Sequence, residues 1–232
     1  MRSADVISFL TLAASASAAH HMAKRNDLGT VAVPTAQDVE NAINEWNLDV
    51  NTVNSFLERA PGELDDLPTL ASDAHNVASN FAAEEPNQLG TLVNWFTSDS
   101  NNPDSAPDAF HCAANDLAVG QTIGSTTFNF KSLVLDVFAD IVEDANAGNR
   151  DAVSNLLDVV NSYRCCNVLP DLDILWRDSA ISADLLIQNP VTGDVPVTPA
   201  RPRTCSAFDC SKTVGASTCS TEDNGSFGTP GS

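Results

Sequence analysis

Val39, Ile43, Trp46, Val50, Val53, Leu57 and Ala60 recur at alternating steps of four and three residues. That period lays all of them along one stripe of an α-helix, whereas a strand would bring alternate residues to one face. Thr35 and Asp38 stand at capping-box spacing ahead of the run, and Pro61-Gly62 ends it. The stripe is read as the core face of a bundle. Its regularity would also suit a short coiled-coil contact.

The same period continues along the chain. Asp66-Leu67-Pro68 opens a second helix with Leu70, Ala74, Val77, Ala78 and Phe81 inward, and Pro86 sits in the first turn of a third, with Leu89, Leu92, Val93 and Phe96 on its apolar side. Ser105 to Asp108 forms another capping box, before Phe110, Ala113, Ala114 and Leu117. A long helix is expected over 127–146, with Phe130, Leu133, Val134, Val137, Phe138, Ile141 and Val142 inward and Asp136, Asp140, Glu143 and Asp144 in water. After a turn at Ala147-Gly148-Asn149, Val153, Leu156, Leu157, Val160 and Tyr163 point inward. Pro170 starts the last helix, carrying Leu172, Leu175, Trp176, Ala180, Ala183 and Leu186. Short turns between amphipathic helices predict an all-α fold, a compact bundle of about five to seven helices. From Asn189 the pattern stops, and Pro190, Pro196, Pro199 and Pro202 introduce an irregular tail rich in Ser and Thr.

Charge and cysteines narrow the class. The formal net charge is −20, and residues 26–188 hold 26 acidic side chains against 5 basic ones. Such a surface repels phosphate backbones and anionic lipid, so nucleic acid is excluded as a partner. No segment has the length and apolarity of an integral membrane span. Cys112, Cys165, Cys166, Cys205, Cys210 and Cys219 are even in number and predict three disulfides. Cys165 and Cys166 are too close to pair with each other. The expected arrangement joins Cys112 to one of them and sends the other to the tail.

The first residues, MRSADVISFLTLAASASAAHH, combine a basic Arg2, a short apolar run and the small-x-small site Ala16-Ser17-Ala18. These features predict a signal peptide over 1–19. Lys24-Arg25 predicts dibasic trimming of a propeptide over 20–25, leaving a helical domain at 26–188 and the cysteine-containing tail at 189–232. Asn224-Gly225-Ser226 is a glycosylation sequon.

No motif carries catalytic chemistry: there is no nucleophile elbow, zinc helix, phosphate loop or calcium-loop spacing. Asp104, Asp108, His111 and Asn115 fall at near-helical intervals, but capping and solvation account for them. His75 reads as a surface histidine, and His20-His21 offers copper too few ligands. No catalytic residue, metal site or cofactor is therefore assigned.

Trp46, Phe81, Trp95, Phe96, Phe130, Phe138 and Trp176 occupy apolar helical faces. As core residues they need no further role; in an underpacked bundle they would line a site for a lipid, sterol or other apolar ligand. The MRSADVISFLTLAASASA leader, the Lys24-Arg25 pair and the amphipathic helices from Pro34 to Gln188 resemble small secreted proteins of filamentous fungi, including the hydrophobic surface-binding type. That resemblance implies adsorption to hydrophobic material. The six cysteines depart from that family's pattern, and no functional residue is carried across. The expectation is a secreted, noncatalytic protein that binds an apolar ligand or hydrophobic surface. The alternatives are an extracellular interaction or cell-wall-associated protein with a closed core and an extracellular protein partner, and a small secreted hydrolase.

Overall fold

A computed structural model describes residues 33–97, 106–123, 126–185 and 198–219. The leader, the dibasic pair, Asp104, Ser105, Leu186 and the Asn224 sequon lie outside these residues. The fold is an all-α bundle held by three disulfides. Its helices are α1 (Ala36–Arg59), α2 (Leu67–Val77), α3 (Glu85–Thr97), α4 (Asp108–Ala118), α5 (Asp136–Asn146), α6 (Arg150–Tyr163) and α7 (Leu169–Ser182). Helix α1 packs against α2, α3 and α7, while α2 lies on α5, α5 on α6 and α4 on α7.

Helix α1 begins as its sequence dictates. The Thr35 hydroxyl accepts from the Asp38 amide at 3.2 Å, and Asp38 returns the bond by accepting from the Thr35 amide at 2.8 Å. All seven residues of its stripe are buried. Full burial of an aliphatic side chain contributes about 1.5–3 kcal/mol, so this face alone is a large part of the folding drive. Three aromatic pairs then tie helix to helix. Trp46 meets Trp176 edge-on at 6.2 Å between centroids, Phe56 meets Phe138 at 5.6 Å, and Phe96 meets Phe110 at 4.4 Å.

Three π-helical turns, Ala78–Ala82, Lys131–Leu135 and Arg164–Val168, interrupt the 3.6-residue period. Each wide turn advances the register by about one residue. This is why Ala82 is buried after α2 whereas Phe81 is only half-buried. The third turn joins α6 directly to α7, so 150–182 is one continuous helical path with no break before Pro170.

Two expectations are corrected. The long helix does not begin at Thr127: Gln121–Ile123 and Thr126–Phe128 pair as a two-stranded antiparallel hairpin, with Thr122 opposite Thr127. The β-branched threonines favour that extended backbone, and the helical path starts only at Phe130. The expected bond between Cys112 and the Cys165-Cys166 pair is also overturned. Cys112 joins Cys219, Cys165 joins Cys205 and Cys166 joins Cys210. Adjacent cysteines on a wide turn diverge, and each reaches a different part of residues 198–219. Those residues are thereby pinned across α1, α4 and the Arg164–Val168 turn. Asn54 donates to the Ala200 carbonyl at 2.9 Å, the Arg203 amide to Glu58 at 2.7 Å, and the Ser217 amide to the Cys166 carbonyl at 2.8 Å.

Among the described residues no helix is long and apolar enough to cross a membrane.

Candidate functional site

The site is a groove of about 400 Å³ walled by four parts of the fold. Helix α1 contributes Trp46, α3 contributes Glu85, Pro86, Leu89, Gly90 and Val93, and α4 contributes Ala114, Leu117 and Ala118. Phe130, Lys131 and Leu135 close it from the segment leading into α5. The lining is overwhelmingly carbon, and the volume falls in the range of small-molecule sites, roughly 300–1,000 Å³.

Gly90 determines the shape of the wall. A glycine inside a helix costs roughly 0.5–1 kcal/mol relative to alanine. Packing among the described residues does not demand it, because a Cβ there would meet none of their atoms within 4 Å, its own helix backbone apart. Leu89 and Val93, at positions where the period predicts core, are only half-buried because they face this groove.

The two ionisable groups of the wall are both held. At the base, Glu85 is 1% exposed. It accepts the Trp46 indole N–H at 2.9 Å on Oε2 and an Arg164 guanidinium N–H at 3.2 Å on Oε1. Burial pushes the Glu85 carboxyl above its ordinary range, while the Arg164 charge and these hydrogen bonds pull it back. Arg164 also reaches Asn54 at 3.4 Å, so the network ties α1, α3 and the third π turn together. At the rim, exposed Lys131 pairs with Asp136 at 2.6 Å. A carbon wall with its charges satisfied is suited to shielding apolar matter from water. Beside it, Asp49 accepts from Gln88 at 3.3 Å and is pushed up to about 7, by burial first and then by the neighbouring Glu85, Glu84 and Glu45.

Of the seven aromatic residues singled out from the sequence, Trp46 and Phe130 line the groove. Phe138 and Trp176 are fully buried in the aromatic pairs, and Phe96 packs tilted against Phe110. Trp95 is 5% exposed and donates to the Ser182 hydroxyl at 3.0 Å, and Phe81 packs half-buried at the core's edge. His75, Asp108, His111 and Asn115 are all exposed and face solvent. Sequence reasoning missed Glu85, Gly90 and Lys131. A carboxylate seven residues before Leu92, hence on its face, and a glycine inside a helix were the available signals.

A second hollow of about 310 Å³ between α1 and α2 is lined by Asn51, Thr52, Ser55, Arg59, Asp73 and Asn76 together with Phe56 and Val77. Its guanidinium is already shared between Glu63 and Asp73. Polar, with its cation taken, this hollow is the weaker receptor for carbon.

No family model matches the sequence, and no curated protein or solved structure matches it either.

Proposed function

We propose that this chain is a secreted, noncatalytic protein that binds an apolar ligand or hydrophobic surface, with the groove at Gly90 as the receiving site. The observation that carries the reading is the carbon-lined space itself, opened by a helix glycine whose missing side chain no described residue replaces. An apolar occupant there gains the free energy of leaving water, about 25 cal/mol for each Å² of carbon surface covered. The acidic exterior keeps the carrier soluble. Secretion is supported by the leader reading and by three disulfides, which persist in oxidising compartments. The same function fits the resemblance to hydrophobic surface-binding proteins, which belongs to the proposal.

Native, non-reduced mass spectra of the protein from its own source, repeated after denaturation, test it. An additional mass that is lost on denaturation is the expected result and identifies the ligand. A bare chain that takes up no added lipid or sterol would move the assignment to an extracellular interaction protein with a closed core.

A further inference from the structure

A second buried polar cluster lies away from the groove, where α4, the Arg164–Val168 turn and the start of α7 meet residues 215–219. Asp116 is 5% exposed and Asp171 is fully buried. Each carboxylate has one oxygen fixed by donors. Asp116 Oδ2 accepts from Gln121 Nε2 at 3.1 Å and Asn167 Nδ2 at 3.0 Å, and Asp171 Oδ1 accepts from the Ser217 hydroxyl. The other oxygen of each, Asp116 Oδ1 and Asp171 Oδ2, takes no donor from any other described residue, and the two carboxyls are in hydrogen-bond contact with each other. Two neutral oxygens of the same neighbourhood are unpartnered: Asn167 Oδ1, on a side chain with no exposure, and the Tyr163 hydroxyl, on one that is 2% exposed. Burial first, and then the two nearby carboxyls, raise the Tyr163 hydroxyl above the ordinary phenol range.

No described base neutralises this pair. The carboxylates lie within 4.8 Å of each other and of Cys219 Sγ, but that sulfur is bonded to Cys112 and offers no thiolate. Among the described residues, no lysine or arginine pairs with either acid. Burial, opposed by the Ser217 hydrogen bond and reinforced by the like charge and the hydrogen bond of Asp116, pushes Asp171 up to about 8, so without a cation the pair shares a proton at neutral pH. Two buried acids with no described base, oxygens on both that take no outside donor, and two further bare oxygens nearby describe a donor set that a cation completes by displacing the proton the pair shares.

We infer that Asp116 and Asp171, with Asn167 Oδ1 and the Tyr163 hydroxyl, form a binding site for a hard divalent cation, Ca²⁺ in particular. All-oxygen donors select Ca²⁺, Mg²⁺ or Mn²⁺ over the softer metals. Mg²⁺ keeps several waters, for which side chains this deeply buried leave little room, whereas Ca²⁺ accepts irregular oxygen cages. Gln121, Asn167 and Ser217 act as the outer layer that aims the carboxylates. Gln121 Nε2 also donates to the Ala216 carbonyl at 2.9 Å, which brings a backbone oxygen with a spare lone pair to the same cluster. Since Ser217 and Ala216 belong to the disulfide-pinned tail, the cation would fasten that tail to the bundle.

The test uses the full chain with its disulfides intact, stripped with EDTA. Calorimetric titration with CaCl₂ should show one saturable site, and Ca²⁺ should raise the melting temperature. Tb³⁺ bound in its place should luminesce when the aromatic residues are excited. Asp116→Asn and Asp171→Asn should each lose at least ~10-fold in affinity, and Ser217→Ala about 10-fold through loss of orientation. Asp140→Asn, which removes an exposed carboxylate on α5, should bind as the parent does. Should the aspartate variants fail to fold, Tyr163→Phe removes one oxygen only, and its Ca²⁺ affinity should fall several-fold. Absence of saturable binding of Ca²⁺, Mn²⁺ and Tb³⁺ would overturn the inference and leave a carboxyl pair sharing a proton. Binding unchanged in every site variant that folds would overturn it too, and would assign the cation to the acidic surface.

Discussion

Arg164 and Asn167 belong to one π turn, yet the buried carboxylates they reach are held in opposite ways. Arg164 brings a full positive charge to Glu85, which also takes the Trp46 N–H. Asn167 brings only an amide to Asp116, which stands beside a second acid. The first cluster is electrically closed and forms the floor of the groove. The second has no described base opposite it and avoids like-charge repulsion by keeping a proton between its two carboxyls. Burial alone therefore does not define a role for an acid; what stands opposite it does.

The difference predicts unequal responses to mutation. Arg164→Met strands the Glu85 charge in the core and should cost about 3–5 kcal/mol in urea unfolding. The double change Glu85→Leu with Arg164→Met should recover most of that loss, because a buried ion pair is replaced by carbon of similar size. Gly215→Ala probes the other cluster's cover. Gly215 has φ +75°, and a Cβ there would stand 3.1 Å from Phe128 Cβ and 3.4 Å from Tyr163 Cε2. A left-handed backbone costs an L-residue about 1–2 kcal/mol, which should appear in the same measurement. Asp171, pushed up to about 8, is mostly protonated in metal-free protein at pH 7, so Asp171→Asn exchanges one neutral polar group for another and stability should stay within about 1 kcal/mol of the parent. A loss as large as that of Arg164→Met would erase the contrast.

The smallest effect is one of slope. Asp49 titrates near pH 7 in the folded chain and near 4 when unfolded. Between those values the folded state binds the extra proton, so stability falls as pH rises through that window and levels off above it. Asp49→Asn keeps an acceptor for Gln88 and should make the decline between pH 4 and 7 shallower.

Much of this architecture was legible because burial of a helix face repeats every three or four residues. The α1 stripe and the inward faces of α6 and α7 follow from that period, and the Thr35 cap from the spacing of Thr35 and Asp38. The hairpin escaped because three-residue strands carry too few alternations to register. The disulfide partners escaped because helix spacing does not say where an irregular tail returns. The aromatic residues marked the core well and the groove poorly: Trp46 and Phe130 line it, whereas Trp176 and Phe138 fill space between helices. What shapes the groove is a missing side chain at Gly90, and what supports it is a charge at Glu85. Asp116 and Asp171 left a fainter mark, as acids three residues after Ala113 and four before Leu175 on buried faces.

Titration of the intact protein with Nile red, an uncharged apolar dye, beside its Gly90→Leu variant tests the groove most directly. The leucine has room to enter the groove and removes a helix glycine, so the variant should be at least as stable as the parent. The parent should show saturable fluorescence enhancement that Gly90→Leu loses by ~10-fold or more in affinity. Equal binding by both proteins, or no saturable binding by the parent, would contradict the assignment of the groove as a receptor for apolar matter.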